Sequence, residues 1–109
     1  MPRQSQAAVL DAVFDALAND RRRDIVMRLA RRPMTTPEIG RHFGFTKQAL
    51  SRHLAVLEGA GLVSRVARGR VHTLALSPQR LDSVARFVSE LRSGWAASLE
   101  RLDEVLREP

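Results

Sequence analysis

The sequence predicts a single, mainly α-helical domain that carries one small β-hairpin, which is an α+β fold. Apolar residues recur at helical spacing along most of the 109 residues. Two β-branched and apolar runs, Leu62 to Ala67 and Val71 to Leu76, are separated only by Arg68-Gly69-Arg70, which is typical of a hairpin. A chain of this length forms one domain and buries roughly 60 to 70% of its unfolded surface. A second subunit would therefore add to its stability.

The chain is predicted to begin with a loose tail at residues 1–6, followed by two helices. Ala7 to Ala18 has apolar residues at helical spacing, and Asn19 can cap a second helix that ends before Pro33. Arg21 to Arg23 fall in the first turn of that second helix, where the helix dipole disfavours cations. They are interpreted either as phosphate contacts or as solvated charges, some paired with neighbouring aspartates. The second interpretation is favoured because exposed charges are common.

Residues 35–60 are predicted to form two short helices joined by a tight turn. Thr35 and Glu38 fit a capping box at the start of the first helix, which Gly44 ends. Thr46 can cap the second helix, which runs to the end of this stretch. The pattern is that of a helix-turn-helix, whose second helix enters the DNA major groove in proteins that use it to read sequence.

The two sides of the second helix differ in a way that favours DNA contact. Leu50, Leu54 and Leu57 form an apolar stripe, whereas the opposite side carries short hydrogen-bonding side chains around one arginine. Amide and guanidinium groups can bond two base-edge atoms at once, and residues at the helix start can reach phosphate. The predicted base contacts are Gln48, Ser51 and Arg52, and the predicted backbone contacts are Thr46 and Lys47.

Residues 62–76 are predicted to form a wing beside this helix-turn-helix. Arg68 and Arg70 flank the glycine at the hairpin tip, where they can touch sugar-phosphate or an adjacent minor groove. The alternative is a solvated turn with solubilising charge. The charge distribution favours contact with DNA. The whole chain has a formal net charge of +6, and residues 21–76 alone hold 12 basic and 3 acidic side chains.

The region 78–107 is predicted to be a dimerisation helix, with Ser77 as its cap and Pro78 in its first turn. From Val84 onward, seven apolar residues follow one another at steps of four or three residues, as in a coiled-coil seam. A domain this small has no element left to cover that seam. We therefore expect the seam to pack against the same helix and the first helix of a second subunit.

Trp95 would be the central anchor of this interface. The weaker alternative is that Trp95 lines a ligand-binding pocket. Whether Ser93-Gly94 breaks the helix stays open. The predicted interface residues are Leu10, Phe14, Val88, Leu91, Trp95, Leu99, Leu102 and Leu106.

This order of elements resembles the winged helix-turn-helix repressors of the ArsR type. The resemblance covers residues from about 8 to 107, and its most specific part is Ser51-Arg52-His53-Leu54 followed by Leu57-Glu58-Gly59-Ala60-Gly61-Leu62-Val63. It implies a homodimeric bacterial transcription regulator that binds an operator with one recognition helix per protomer. Relatives that sense metals use cysteines, or carboxylate and histidine ligands on the last helix. This chain has no cysteine, and Pro78 to Glu108 contains no histidine, so metal sensing is not carried over.

Other classes of function have little support in the sequence. His42, His53 and His72 lie on two predicted helices and a strand without ligand spacing, and no catalytic cluster is visible. We therefore expect no enzyme activity, no metal and no cofactor. No apolar run approaches 18 residues, so neither a membrane span nor a secretory signal is predicted and the expected location is cytoplasmic.

Two functional hypotheses follow. The favoured one is a homodimeric regulator of transcription, a repressor that reads an inverted-repeat operator in double-stranded DNA through Lys47 to Ala60 and the wing. The alternative is a winged-helix adaptor that works through its apolar terminal helices and has no specific DNA binding. A small-molecule or protein effector, the operator sequence and the direction of regulation are not determined by these patterns.

Overall fold

The computed structural model describes residues 5–108. Within that range it contains five helices and three short strands, which confirms the mainly α-helical class with a β-hairpin. The elements are, in order, α1 (Gln6–Leu17), α2 (Asp20–Leu29), β1 (Met34–Thr35), α3 (Thr36–Phe43), α4 (Lys47–Gly59), β2 (Val63–Arg68), β3 (Val71–Leu76) and α5 (Gln79–Arg107).

Helix α1 begins at Gln6, one residue earlier than predicted. The hydroxyl of Ser5 accepts a hydrogen bond from the backbone N–H of Ala8 at 3.1 Å, which is the cap that sets this start. The tail predicted for residues 1–6 is therefore wrong at Gln6, which is helical, while Ser5 is the extended residue that caps the helix. The first part of the tail, residues 1–4, lies outside the described residues.

The predicted caps of the next three helices are confirmed. Thr35 and Glu38 form the capping box of α3, each side chain accepting a backbone N–H of the other residue. Gly44 ends that helix with a φ of 70°, a left-handed conformation that glycine adopts without a steric penalty. Thr46 caps α4 and Asn19 caps α2 through side-chain oxygens that accept N–H groups of the first turn.

The wing is a two-residue hairpin whose strands pair in antiparallel register. Arg68 pairs with Val71, so only Gly69 and Arg70 form the turn. Gly69 has a φ of 62°, as a tight hairpin turn with glycine at its first central position requires.

A third strand that the sequence analysis missed extends the wing. The sheet order is β1-β3-β2, and Met34 and Thr35 pair with Leu74 and Thr73. Two residues are too few to show the alternation that marks a strand in sequence. The pairing joins the start of the helix-turn-helix to the wing, because Thr35 also caps α3.

The hydrophobic core lies between the helices and the inner face of this sheet. Its largest fully buried side chains come from α1, α2, α3, α4, the segment after α4 and β3. These residues are Val13, Ile25, Ile39, Leu54, Leu57, Leu62 and Leu74.

The start of α5 differs from the prediction because Ser77 does not cap the helix. Pro78 occupies the cap position without a side-chain hydrogen bond, and the backbone N–H of Ser77 donates instead to the carbonyl oxygen of Leu62 at 2.8 Å. Beside this bond, Arg80 lies over Gly61, so that a Cβ at that glycine would be 2.8 Å from the arginine Nε. The root of α5 is thus attached to the chain segment that follows α4.

Helix α5 is continuous over 29 residues and passes through Ser93-Gly94 without a break. Only its first turns, at Leu81 and Val84, pack against the core, and no residue of α5 is fully buried. The rest of the helix extends away from the domain, and the molecule is 72 Å long as a result.

Candidate nucleic-acid interface

The exposed side of α4 brings together the three predicted base contacts and the predicted backbone contact Lys47. Lys47, Gln48, Ser51 and Arg52 are all exposed and line one open groove of about 560 Å³. Thr46 is also exposed and stands at the N-terminus of the helix. We call this surface the recognition face.

The apolar stripe on the other side of α4 holds the recognition face outward. Leu50, Leu54 and Leu57 are all buried in the core. A rotation of the helix about its axis would expose these leucines and bury the polar side, which costs free energy in both respects. The orientation of the recognition face is therefore set by the core.

The two arginines at the wing tip are both exposed but occupy different positions. Arg68 is the last residue of β2 and pairs with Val71, whereas Arg70 lies in the turn itself. Both project from the end of a hairpin, as the sequence analysis predicted.

A link between α4 and the wing escaped the sequence analysis. Nε and Nη2 of Arg65 donate to the same carboxylate oxygen of Glu58 at 2.9 and 2.6 Å, and Nη1 lies 2.9 Å from Nδ1 of His72. The three residues come from α4, β2 and β3, so this contact fixes the wing relative to the recognition helix. The register of the hairpin, once known, places Arg65 and His72 on the same face.

We expect Arg65→Gln to weaken binding to duplex DNA by about threefold to tenfold, because the wing loses its attachment to α4. Glu58→Gln is the matched variant. If Arg65 acted by contacting phosphate, removal of the Glu58 carboxylate would strengthen binding, whereas loss of the attachment weakens it. The two single variants and the double variant would be compared by fluorescence anisotropy. If Arg65 positions the wing, the double variant should lose no more affinity for duplex DNA than either single variant. Additive losses of affinity would contradict this role.

Two of the three arginines in the first turn of α2 cap the preceding helix. Arg22 donates to the carbonyl oxygens of Ala16 and Asp15 at 2.7 and 3.2 Å, and Arg23 donates to that of Leu17 at 2.8 Å. These carbonyls belong to the last turn of α1, where cations also meet the negative end of the helix dipole. The favoured interpretation, solvated charges with some aspartate pairs, did not include this structural role; Arg23 is nevertheless exposed, whereas Arg22 is half-buried.

His53 of α4 lies in a cationic and partly buried environment. Its ring centroid is 5.2 Å from that of Phe45, and the guanidinium carbon of Arg21 is 5.3 Å from the same Phe45 ring. Burial lowers the pKa of His53 below its ordinary value of 6.5, and the positive charges of Arg22, Arg21 and Arg52 lower that pKa further.

We expect the protein to lose stability as the pH falls below about 6.5, and His53→Gln to reduce this loss. Below that value the unfolded chain takes up a proton on His53 that the folded chain resists, so protonation favours unfolding. Urea unfolding at several pH values between about 5 and 8 measures the effect. His42→Gln is the control variant, and equal pH dependence in the wild type and His53→Gln would contradict the assignment.

The predicted dimer residues lie on an exposed apolar surface. Seven of the eight are exposed, and Leu10 of α1 is half-buried. Phe14 of α1 meets Phe87 of α5 edge-to-face with ring centroids 5.7 Å apart, so the two helices form one continuous surface. Phe87 was absent from the prediction because it lies outside the seven-residue seam. We call the α5 part of this surface the α5 seam.

Two further findings concern metals and membranes. Among residues 5–108, histidine, aspartate and glutamate side chains form no group of three or more that could hold a metal ion. No helix in that described part of the chain is long and apolar enough to cross a membrane.

Comparisons with known proteins agree with this architecture. Residues 19–65 match a family model described as bacterial regulatory protein, arsR family. The chain is 33% identical over 94 residues to the HTH-type transcriptional regulator Rv2034 of Mycobacterium tuberculosis, which covers 83% of this chain and 88% of that protein. It is 29% identical over 86 residues to the transcriptional repressor SdpR of Bacillus subtilis. The aligned residues cover 78% of this chain and 96% of SdpR.

The fold is also similar to a solved structure of the same class. An ArsR-like transcriptional regulator from Rhodococcus sp. RHA1 is similar with a TM-score of 0.79 and 26% sequence identity, covering 91% of this chain and 93% of that one. The predicted winged helix-turn-helix fold is confirmed by this similarity.

Proposed function

This chain belongs to the arsR family of bacterial regulatory proteins, and on that basis we propose that it is a homodimeric repressor that reads an inverted-repeat operator. Regulation of transcription by binding double-stranded DNA is the function of this family, and the prediction that the chain is not an enzyme is confirmed. The observation that supports the finer proposal is the recognition face, a polar surface backed by buried leucines beside a wing with two arginines at its tip.

The proposed DNA contacts divide between bases and backbone. Gln48, Ser51 and Arg52 would reach base edges in the major groove, since these side chains project from the exposed side of α4. The contacts proposed for the sugar-phosphate backbone are Thr46, Lys47, Arg68 and Arg70.

A dimer would place two recognition faces on one side of a duplex. The α5 seam is the surface proposed for this contact, because it is apolar, exposed and continuous with Phe14 of α1. Two-fold symmetric helix-turn-helix proteins read half-sites about 34 to 36 Å apart, hence an inverted repeat. Repression is proposed because the similar SdpR is named a transcriptional repressor.

We expect Arg52→Ala to lower the discrimination between operator and random duplex by about 1 to 3 kcal/mol, because a bidentate base contact is lost. Arg68→Ala is the matched control, since it removes one exposed arginine of the same protein from a proposed backbone contact. It should weaken binding to both duplexes alike and reduce the salt dependence. Gel-shift titrations at several salt concentrations measure both effects. Equal losses on both duplexes for Arg52→Ala would remove this residue from base reading.

Selection of bound duplexes from a random pool separates the repressor from the adaptor hypothesis. A dimeric reader of sequence should enrich an inverted repeat whose half-sites are one helical turn apart. An adaptor should enrich no sequence, and that result would overturn the proposed function.

A further inference from the structure

A mostly apolar groove lies between α3 and α4 beside the recognition face, and Arg65 of β2 lines one side of it. Its volume is about 590 Å³, within the range typical of small-molecule sites. The apolar part of its lining consists of Pro37, Phe45, Leu50 and Leu54. Gly40 also lines the groove, next to Leu50. We call this hollow the α3–α4 groove.

The charged residues that line the α3–α4 groove are all cations. They are Arg41, Lys47 and Arg65, and no described lining residue is acidic. Arg65 already binds Glu58, but the ion pairs found within residues 5–108 include neither Arg41 nor Lys47. The groove therefore offers two cations that lack a carboxylate partner in this part of the chain.

We propose that the α3–α4 groove binds a small aromatic carboxylate. The carboxylate would pair with Arg41 and Lys47, and the aromatic body would bury against Phe45 and Leu50. Inorganic phosphate does not suit the groove, because much of the lining gives its oxygens no hydrogen-bond donor. A neutral apolar molecule would leave both cations without a partner.

Occupation of the groove opposes DNA binding, a consequence that rests on the proposed function. Lys47 and Ser51 line the α3–α4 groove and also the recognition face. A carboxylate on Lys47 neutralises a proposed phosphate contact and places negative charge beside the DNA backbone. By linkage, duplex DNA lowers the affinity for the carboxylate by the same factor.

The test without DNA is an amide NMR titration of the full chain with 1-naphthoate, with naphthalene-1-methanol as the uncharged probe. We expect 1-naphthoate to shift the amide signals of α3 and the first turns of α4 and to saturate in the millimolar range. The alcohol should bind about fivefold more weakly or worse, because it cannot pair with the cations. The Trp95 indole N–H reports separately on binding to the α5 seam.

Arg41→Gln is the test variant, because Arg41 lines the groove but is not among the proposed DNA contacts. It should weaken 1-naphthoate binding about threefold to tenfold, whereas Arg31→Gln, which removes an exposed arginine outside the groove, should leave it unchanged. Equal binding of both probes would overturn the proposal. So would shifts confined to α5, or the absence of saturable binding.

The second measurement adds a duplex enriched from the random pool. 1-Naphthoate should raise the apparent Kd of the wild type for this duplex, and should raise it less for Arg41→Gln. If the groove binds 1-naphthoate but the affinity for the duplex does not change, the proposed binding site is supported and its proposed effect on DNA binding is wrong. If no duplex binds at all, the proposed function fails while the NMR titration still decides the site.

Discussion

Replacing Trp95 by aspartate is expected to convert the proposed dimer into a 12.2 kDa monomer and to remove most of its affinity for the proposed operator DNA. The side chain is 66% exposed within one chain and lies at the middle of the α5 seam. A central aromatic residue of an interface contributes about 2 kcal/mol or more, and two-fold symmetry places the substitution twice in each dimer. Dimerisation should therefore weaken by about a thousandfold. Sedimentation velocity at micromolar concentration measures the change.

Ser93→Asp is the matched control for this prediction. It introduces the same charge two residues away, which is about 200° around the helix and thus on the opposite side of α5. The control should remain a dimer and keep its affinity for operator DNA. A Trp95→Asp protein that is still a dimer would show that the α5 seam is not the interface.

Replacing Leu54 by alanine is expected to lower the free energy of unfolding by about 2 to 5 kcal/mol. Leu54 is 1% exposed, so the substitution leaves a cavity between α4 and the rest of the core. Small domains have only about 5 to 15 kcal/mol of stability in total, so much of it would be lost. Urea unfolding at a fixed protein concentration gives the difference.

Val56→Ala tests whether the effect of Leu54→Ala arises from burial. Val56 belongs to the same helix but is 38% exposed, so its truncation should cost less than about 1 kcal/mol. A loss for Leu54→Ala no greater than that for Val56→Ala would mean that the leucine stripe does not hold α4 in place.

The helix-turn-helix could be predicted from sequence because its signals are local. Thr35 and Glu38 are three residues apart, Thr46 directly precedes α4, and both caps need only their own helix. The rotation of α4 was predictable for the same reason, since the spacing of its leucines determines which side faces the core. The exposed side of α4 was therefore predicted without knowledge of the tertiary structure.

Features that depend on distant parts of the chain could not be predicted in this way. Strand β1 exists because Met34 and Thr35 pair with residues almost forty positions later. Arg65 reaches Glu58 only because β2 folds back along α4, and α5 begins one residue later than its sequence signal indicated, with Pro78 instead of Ser77 at the cap position. Each of these features depends on how separate elements pack against one another, which the periodicity within a single element does not reveal.

The attachment of α5 at Leu62 and Gly61 has a geometric consequence for the proposed dimer. A helix of 29 residues is about 44 Å long, so a tilt of about 10° at its root displaces its far end by about 8 Å. Two contacts hold the start of α5, where such a tilt would occur: the hydrogen bond between Ser77 and Leu62, and the packing of Arg80 over Gly61. In the proposed dimer, the stiffness of the contacts at the start of α5 would therefore limit how far apart two operator half-sites can lie and still be occupied together.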